Sequence, residues 1–178
     1  MAYPPPPDCY NRFNVEQRSD LPALLERYRR GAELLAMVLT GVFGEEEDFA
    51  IAPGKWSVRQ IVAHLADSEL VAAHRFRQVL AEDNPVMTWF DEKLWTANLE
   101  YARRKPKQSL ETFRRLRAEN YELLKGSPEA AFERIGTHSV NGRTTLREMV
   151  EGFATHIETH ARQLQAIRDA YKLAKGKK

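Results

Sequence analysis

Residues 145–168, TLREMVEGFATHIETHARQLQAIR, decide how this chain is read. Leu146, Met149, Phe153, Ile157, Leu164 and Ile167 recur at intervals of three, four or seven, the spacing that keeps side chains on one face of a 3.6-residue turn. The pattern predicts one long amphipathic helix. Thr145 with Glu148 three residues later is a capping box that would start it. His156 and His160 lie on the apolar stripe one turn apart. An imidazole turned into a core must hydrogen-bond or bind something, and two at i and i+4 can aim nitrogens at one point. The stretch therefore asks for a third ligand elsewhere.

A second helix is expected from Val58 to about Asp83, opened by Ser57 with Gln60 as another capping box and closed by Asn84-Pro85. Its inward positions include Ile61, Leu65, Ala72, Phe76 and Val79, and His64 falls on that face between Ile61 and Ser68. His64, His156 and His160 are thus a candidate ligand set for one divalent ion with positions left for water. Neutral imidazole suits zinc, nickel, copper or iron. The competing reading is three core histidines satisfied by hydroxyls such as Ser68, Thr155 or Thr159. His74, ten residues beyond His64, falls about 80° away around the helix and should point elsewhere. His138 reads as exposed or structural.

A general base is harder to place. The metalloprotease pattern His-Glu-x-x-His puts a glutamate directly after the first histidine; here that residue is Ile157, and Glu158 lies about 200° around the helix from His156. Asp67 or Glu69 on the second helix would have to serve. Asp67 is the candidate catalytic residue, with a supporting or surface carboxylate as the alternative.

Two further helices complete the reading. The first, capped by Ser19 or Asp20 with Pro22 in its opening turn, carries its apolar stripe through Val42 and should stop near Gly44, with the acidic run Glu45–Asp48 as connection. The third should start at Ser109 and carry Leu110, Phe113, Leu116, Tyr121 and Leu124 before Gly126. Residues 84–108 between the second and third helices hold Trp89, Phe90 and Trp95 and a short helix near 91–101. Ser127-Pro128-Glu129 opens a helical turn, and Asn141-Gly142 suggests a small hairpin within 132–144. Trp56, Trp89 and Trp95 are expected over the bundle ends, with Trp89 and Trp95 at a pocket mouth as the alternative. The fold class is all-α, a four-helix bundle with a long crossover connection between helices 2 and 3. The bundle domain spans 19–173, after a proline-rich arm at 1–18 and before a basic tail at 174–178.

Composition narrows the partners. With 27 basic and 25 acidic residues among 178 the net charge is only +2, and the basic clusters at 27–30, 103–107 and 114–117 read as solvated faces with acids nearby, so no nucleic-acid partner is expected. The single cysteine, Cys9, has no internal disulfide partner and no neighbour that would activate it. No signal peptide is visible, and the longest apolar run, 34–43, is too short for a bilayer. The expectation is a soluble, cytoplasmic protein with no membrane partner.

The segments GKWSVRQIVAHLADSE (54–69), FRQVLAEDNPVMTWFDEKLW (76–95) and GRTTLREMVEGFATHIETHARQL (142–164) together resemble the YfiT-like branch of the DinB superfamily. The resemblance spans about residues 20–170. It implies a four-helix bundle with non-sequential threading and a metal held at His64, His156 and His160, all three positions being filled. It further implies a metal-dependent hydrolase; the three-histidine set leads us to expect zinc, with nickel or iron as alternatives, and a small-molecule substrate. Relatives that use low-molecular-weight thiols such as bacillithiol or mycothiol imply a thiol-dependent S-transferase as the alternative activity. A non-catalytic metal- or ligand-binding module is the third possibility, and a homodimer is implied by the same resemblance.

Overall fold

The first helix, α1 (Leu21–Val38), follows Asp20 and has Pro22 in its first turn, where the missing N–H has no helical partner to lose. A computed structural model describes residues 20–176; the proline-rich arm and Cys9 lie outside them. Leu24, Leu25, Tyr28, Gly31 and Leu35 form the buried stripe of α1. The helix ends six residues before Gly44, because Gly41 at φ +79° turns the chain and Arg168 donates to the carbonyls of Val38 and Thr40. The acidic run is itself one helical turn, α2 (Glu45–Asp48): Glu45 pairs with Lys175, Glu46 with Arg168, and Glu47 and Asp48 with Arg59, so all four of its charges have fixed partners.

The second long helix, α3 (Val58–Ala81), opens on the expected capping box, with Ser57 N–H donating to Gln60 Oε1 at 3.0 Å and Gln60 N–H to Ser57 Oγ at 3.4 Å. The long connection then forms β1 (Val86–Met87) and α4 (Glu92–Asn98), followed by a 3-10 turn at Tyr101–Arg103. The third long helix, α5 (Pro106–Lys125), starts three residues before Ser109. Pro106 sets the first turn, and Ser109 is buried inside the helix instead of capping it. A second 3-10 turn at Glu129–Glu133 leads to β2 (Ile135–His138) and β3 (Gly142–Thr145), the expected hairpin. Its pairing with β1, parallel with Val86 opposite Thr137, was not legible from pattern. Gly136 makes it fit: a Cβ there would sit 2.9 Å from both Met87 Cε and Val79 Cγ2.

The last helix, α6 (Leu146–Gly176), begins on the second capping box, Glu148 N–H to Thr145 Oγ1 at 3.2 Å and Thr145 N–H to Glu148 Oε2 at 2.8 Å. It continues through residues 174–176 of the expected tail. The four long helices α1, α3, α5 and α6 form the bundle. One core cluster joins Leu24, Tyr28, Phe76, Val79, Phe132 and Phe153 beside the strands. The other joins Leu35, Ile61, Leu65, Phe113, Ile157 and Leu164, and it surrounds the histidine-bearing segments. Gly31 brings α1 onto α6 beside them: a Cβ there would lie 2.8 Å from Ile157 Cγ2. Among the described residues no helix is long and apolar enough to cross a membrane.

Candidate metal centre

His64 projects from α3 between two buried aliphatic residues, Ile61 and Leu65, and is 1% exposed. His156 and His160 flank buried Ile157 on α6. The three rings meet: His156 Nε2 lies 3.1 Å from His64 Nε2 and 3.0 Å from His160 Nε2. Two nitrogens bound to one tetrahedral ion at about 2.05 Å would stand about 3.3 Å apart, so the separations match ligands of a common ion.

Proton bookkeeping makes the same point. Gln163 Oε1 lies 2.9 Å from His160 Nδ1 and accepts only if that nitrogen carries the proton, which leaves His160 Nε2 a bare acceptor. A neutral His156 has at most one N–H at Nε2, directed at only one of its two neighbours. If it points to His160, the His64–His156 contact receives no proton from His156 and only the Ser68 hydroxyl at 3.4 Å can donate to His64; if His64 donates to it, His156 and His160 face each other with lone pairs. Added protons are disfavoured, because burial, followed by the neighbouring rings, holds His156 well below the usual histidine value and His64 down at about 3. Burial also lowers His160, against the opposing hydrogen bond to Gln163. His64 Nδ1, on the far side of the ring, is buried with no partner among the described residues. Three neutral nitrogens, converging with too few protons between them, fit a divalent cation.

The hydroxyl alternative fails for two of its three members: Thr155 accepts from Arg27, and Thr159 donates to the Thr155 carbonyl. Ser68 does reach a ring, its Oγ 3.4 Å from His64 Nε2. Trp56, expected over a bundle end, packs on the histidines instead, with ring centroids 4.8 Å from His64 and 6.4 Å from His160. Its place one residue before the Ser57 cap was the available signal, since α3 begins less than two turns before His64. Gln163 was missed, although three residues after His160 it lies on the same side of α6.

The carboxylates are occupied. Glu158 forms a two-pronged pair with Arg27 at 2.7 and 2.6 Å, away from the rings as expected. Asp67 accepts from Tyr101 Oη at 2.8 Å and from Arg104 at 2.7 Å. Glu69, 1% exposed, accepts from Tyr28 Oη, from Asn120 at 2.9 Å and from Arg117 at 2.6 Å. That overturns one expectation: Arg117 of the supposed solvated cluster is 2% exposed, because α3 supplies its counter-charge. His138 is structural, its Nδ1 accepting from Val140 and Asn141 N–H to tie the hairpin, while burial and then Arg75 lower it to about 4. Trp89 and Trp95 line a cleft of about 810 Å³ along the Leu70 to Gln78 face of α3, and His74 opens onto it as expected from its angle.

The family profile described as the DinB superfamily matches residues 16–164. The chain belongs to the DinB superfamily. Among DinB relatives it is 27% identical over 154 residues to an Oceanobacillus iheyensis protein named "Putative metal-dependent hydrolase", covering 86% of this chain and 83% of that one. It is 35% identical over 81 residues, 46% of each chain, to YfiT of Bacillus subtilis, which carries the same description. The solved YfiT structure, described as a four-helix bundle of unusual topology, superposes with a TM-score of 0.81 at 22% identity, over 92% of this chain and 97% of that one. The DinB-type bundle is therefore shared.

Proposed function

We propose that this DinB-superfamily protein is a metal-dependent hydrolase of a small molecule, with His64, His156 and His160 holding one divalent ion, zinc in the first instance. The convergence of three neutral imidazole nitrogens carries this reading, and the names of the relatives support it. A bound ion of this kind supplies Lewis acidity and positions open to water. The chain's own residues hold and shield it: Gln163 keeps Nε2 of His160 turned inward, and Trp56 covers His64 and His160 from the side. Protein prepared without a metal-affinity tag should carry about one ion per chain by elemental analysis and hydrolyse a member of an ester and amide panel. Metal-free protein as isolated would end the proposal, and turnover only with an added thiol would replace hydrolysis by thiol transfer.

Asp67 is the proposed proton acceptor. It sits one turn from His64, and Tyr101 and Arg104 fix the direction of its carboxylate. Asp67→Asn should lower turnover by about 100-fold or more with metal content unchanged; wild-type turnover would remove the role.

The buried histidines also make the metal-free fold acid-sensitive. Their folded values lie below the unfolded value of about 6.5, so the unfolded chain binds more protons as pH falls through the window from about 6.5 toward 3. Stability is thus present above that window and drains away within it. Chelated protein should melt about 4 °C or more lower at pH 5 than at pH 7.5, equivalent to roughly 1–2 kcal/mol. Calorimetry at the two pH values checks this; equal melting points contradict it.

A further inference from the structure

We propose that Ser68 is a further residue of the metal centre, the hydrogen-bond donor to an oxygen-bearing ligand, such as a carbonyl or carboxylate, seated at the open coordination position. The inference rests on the three-histidine metal reading. Apart from the histidines themselves, two polar side chains hydrogen-bond to the rings among the described residues, and they approach from opposite sides. Gln163 meets His160 at Nδ1, the back of the ring. Ser68 meets His64 at Nε2, the nitrogen that faces His156. Its oxygen therefore lies on the side where the three nitrogens converge.

Ser68 is 4% exposed, and the 3.4 Å contact to His64 is its hydroxyl's only side-chain hydrogen bond among the described residues. A helical serine ordinarily satisfies itself on the carbonyl four residues back; Ser68 has turned to the His64 ring instead. An ion taking the His64 lone pair removes that acceptor. The buried hydroxyl is then left without a partner, a state that folded proteins avoid. The acceptor that would replace the lost nitrogen is an oxygen held by the ion itself. Asp67, the adjacent residue, already has both oxygens engaged by Tyr101 and Arg104, so Ser68 is the side chain with a proton to give.

The test uses full-length protein loaded with Co2+, whose visible spectrum reports ligands entering the open position, and acetohydroxamate as the probe. Ser68→Ala preserves helix propensity and should leave Co2+ affinity, measured by chelator competition, within roughly 3-fold of wild type. Acetohydroxamate affinity should fall about 5- to 10-fold, the size of one lost hydrogen bond. Ser68→Thr, which keeps the hydroxyl, should restore it. Equal acetohydroxamate affinity in wild type and Ser68→Ala would overturn the proposal. A loss of Co2+ affinity beyond about 10-fold would overturn it differently, by making Ser68 a ligand. Wild-type protein that takes up no Co2+ would instead sink the metal reading itself and this inference with it.

Discussion

Replacing His160 with alanine should give a folded protein that no longer retains its ion. The substitution removes one of three converging nitrogens and leaves His64 and His156, 3.1 Å apart, as the remaining pair. Metal affinity should fall by more than about 100-fold, beyond the 10- to 100-fold typical of losing an outer hydrogen-bond partner. Gln163→Leu supplies that comparison within the same site, since it removes only the acceptor behind His160. Stability should respond in the opposite sense. In the metal-free protein one contact among the three nitrogens lacks a proton, so His160→Ala relieves a repulsion and the chelated variant should melt no lower than chelated wild type. Chelator competition and thermal unfolding read the two effects separately. Full metal retention by His160→Ala would show that the ion, if present, is held elsewhere.

Glu69→Ala should be among the most damaging substitutions in the chain, although it touches no histidine. Among the described residues the Glu69 carboxylate is the only acid paired with the buried Arg117 guanidinium, whose NH2 donates to it at 2.6 Å while NH1 donates to the Tyr28 carbonyl at 2.9 Å. Arg117 also lies over the Tyr28 ring, 3.9 Å from its centroid. Burial and the Glu69 charge push the Tyr28 phenol well above its usual value, so it stays a donor to that carboxylate. Removing the acid strands a buried cation without its counter-charge, at a cost of about 3–5 kcal/mol or roughly 6–20 °C in melting temperature for a chain of this size. Because desolvating the pair is itself expensive, Glu69→Leu combined with Arg117→Met should recover most of that loss. A single Glu69→Ala variant within about 1 kcal/mol of wild type would refute the account.

Much of the candidate site was legible because helical periodicity is local information. His64 shares a stripe with Ile61 and Leu65, and His156 and His160 share one with Phe153, Ile157 and Leu164, so placing apolar neighbours in the core also turned the histidines inward. The starts of α3 and α6 followed from capping boxes that satisfy backbone groups within three residues. The same kind of signal was available for Arg117: Phe113, Arg117, Asn120 and Leu124 are spaced four, three and four, and all four are buried. Charge composition suggested a solvated face there, whereas periodicity pointed inward. The start of α5 was misplaced for a related reason, since Ser109 has the chemistry of a cap but Pro106 has the geometry of a first turn.

The residues by themselves determined the helices, their inward faces and the three nitrogen donors offered to a common point. Tertiary structure alone decided that the donors meet, with Nε2 separations of 3.0 and 3.1 Å, because that depends on the rotation and offset of α6 against α3. The close approach of α1 to α6 at Gly31 and the buried pair from α3 to α5 constrain that packing. It likewise decided which hydroxyl stands beside the nitrogens. Helical spacing names a face, while the partner of a side chain on that face comes from another part of the chain.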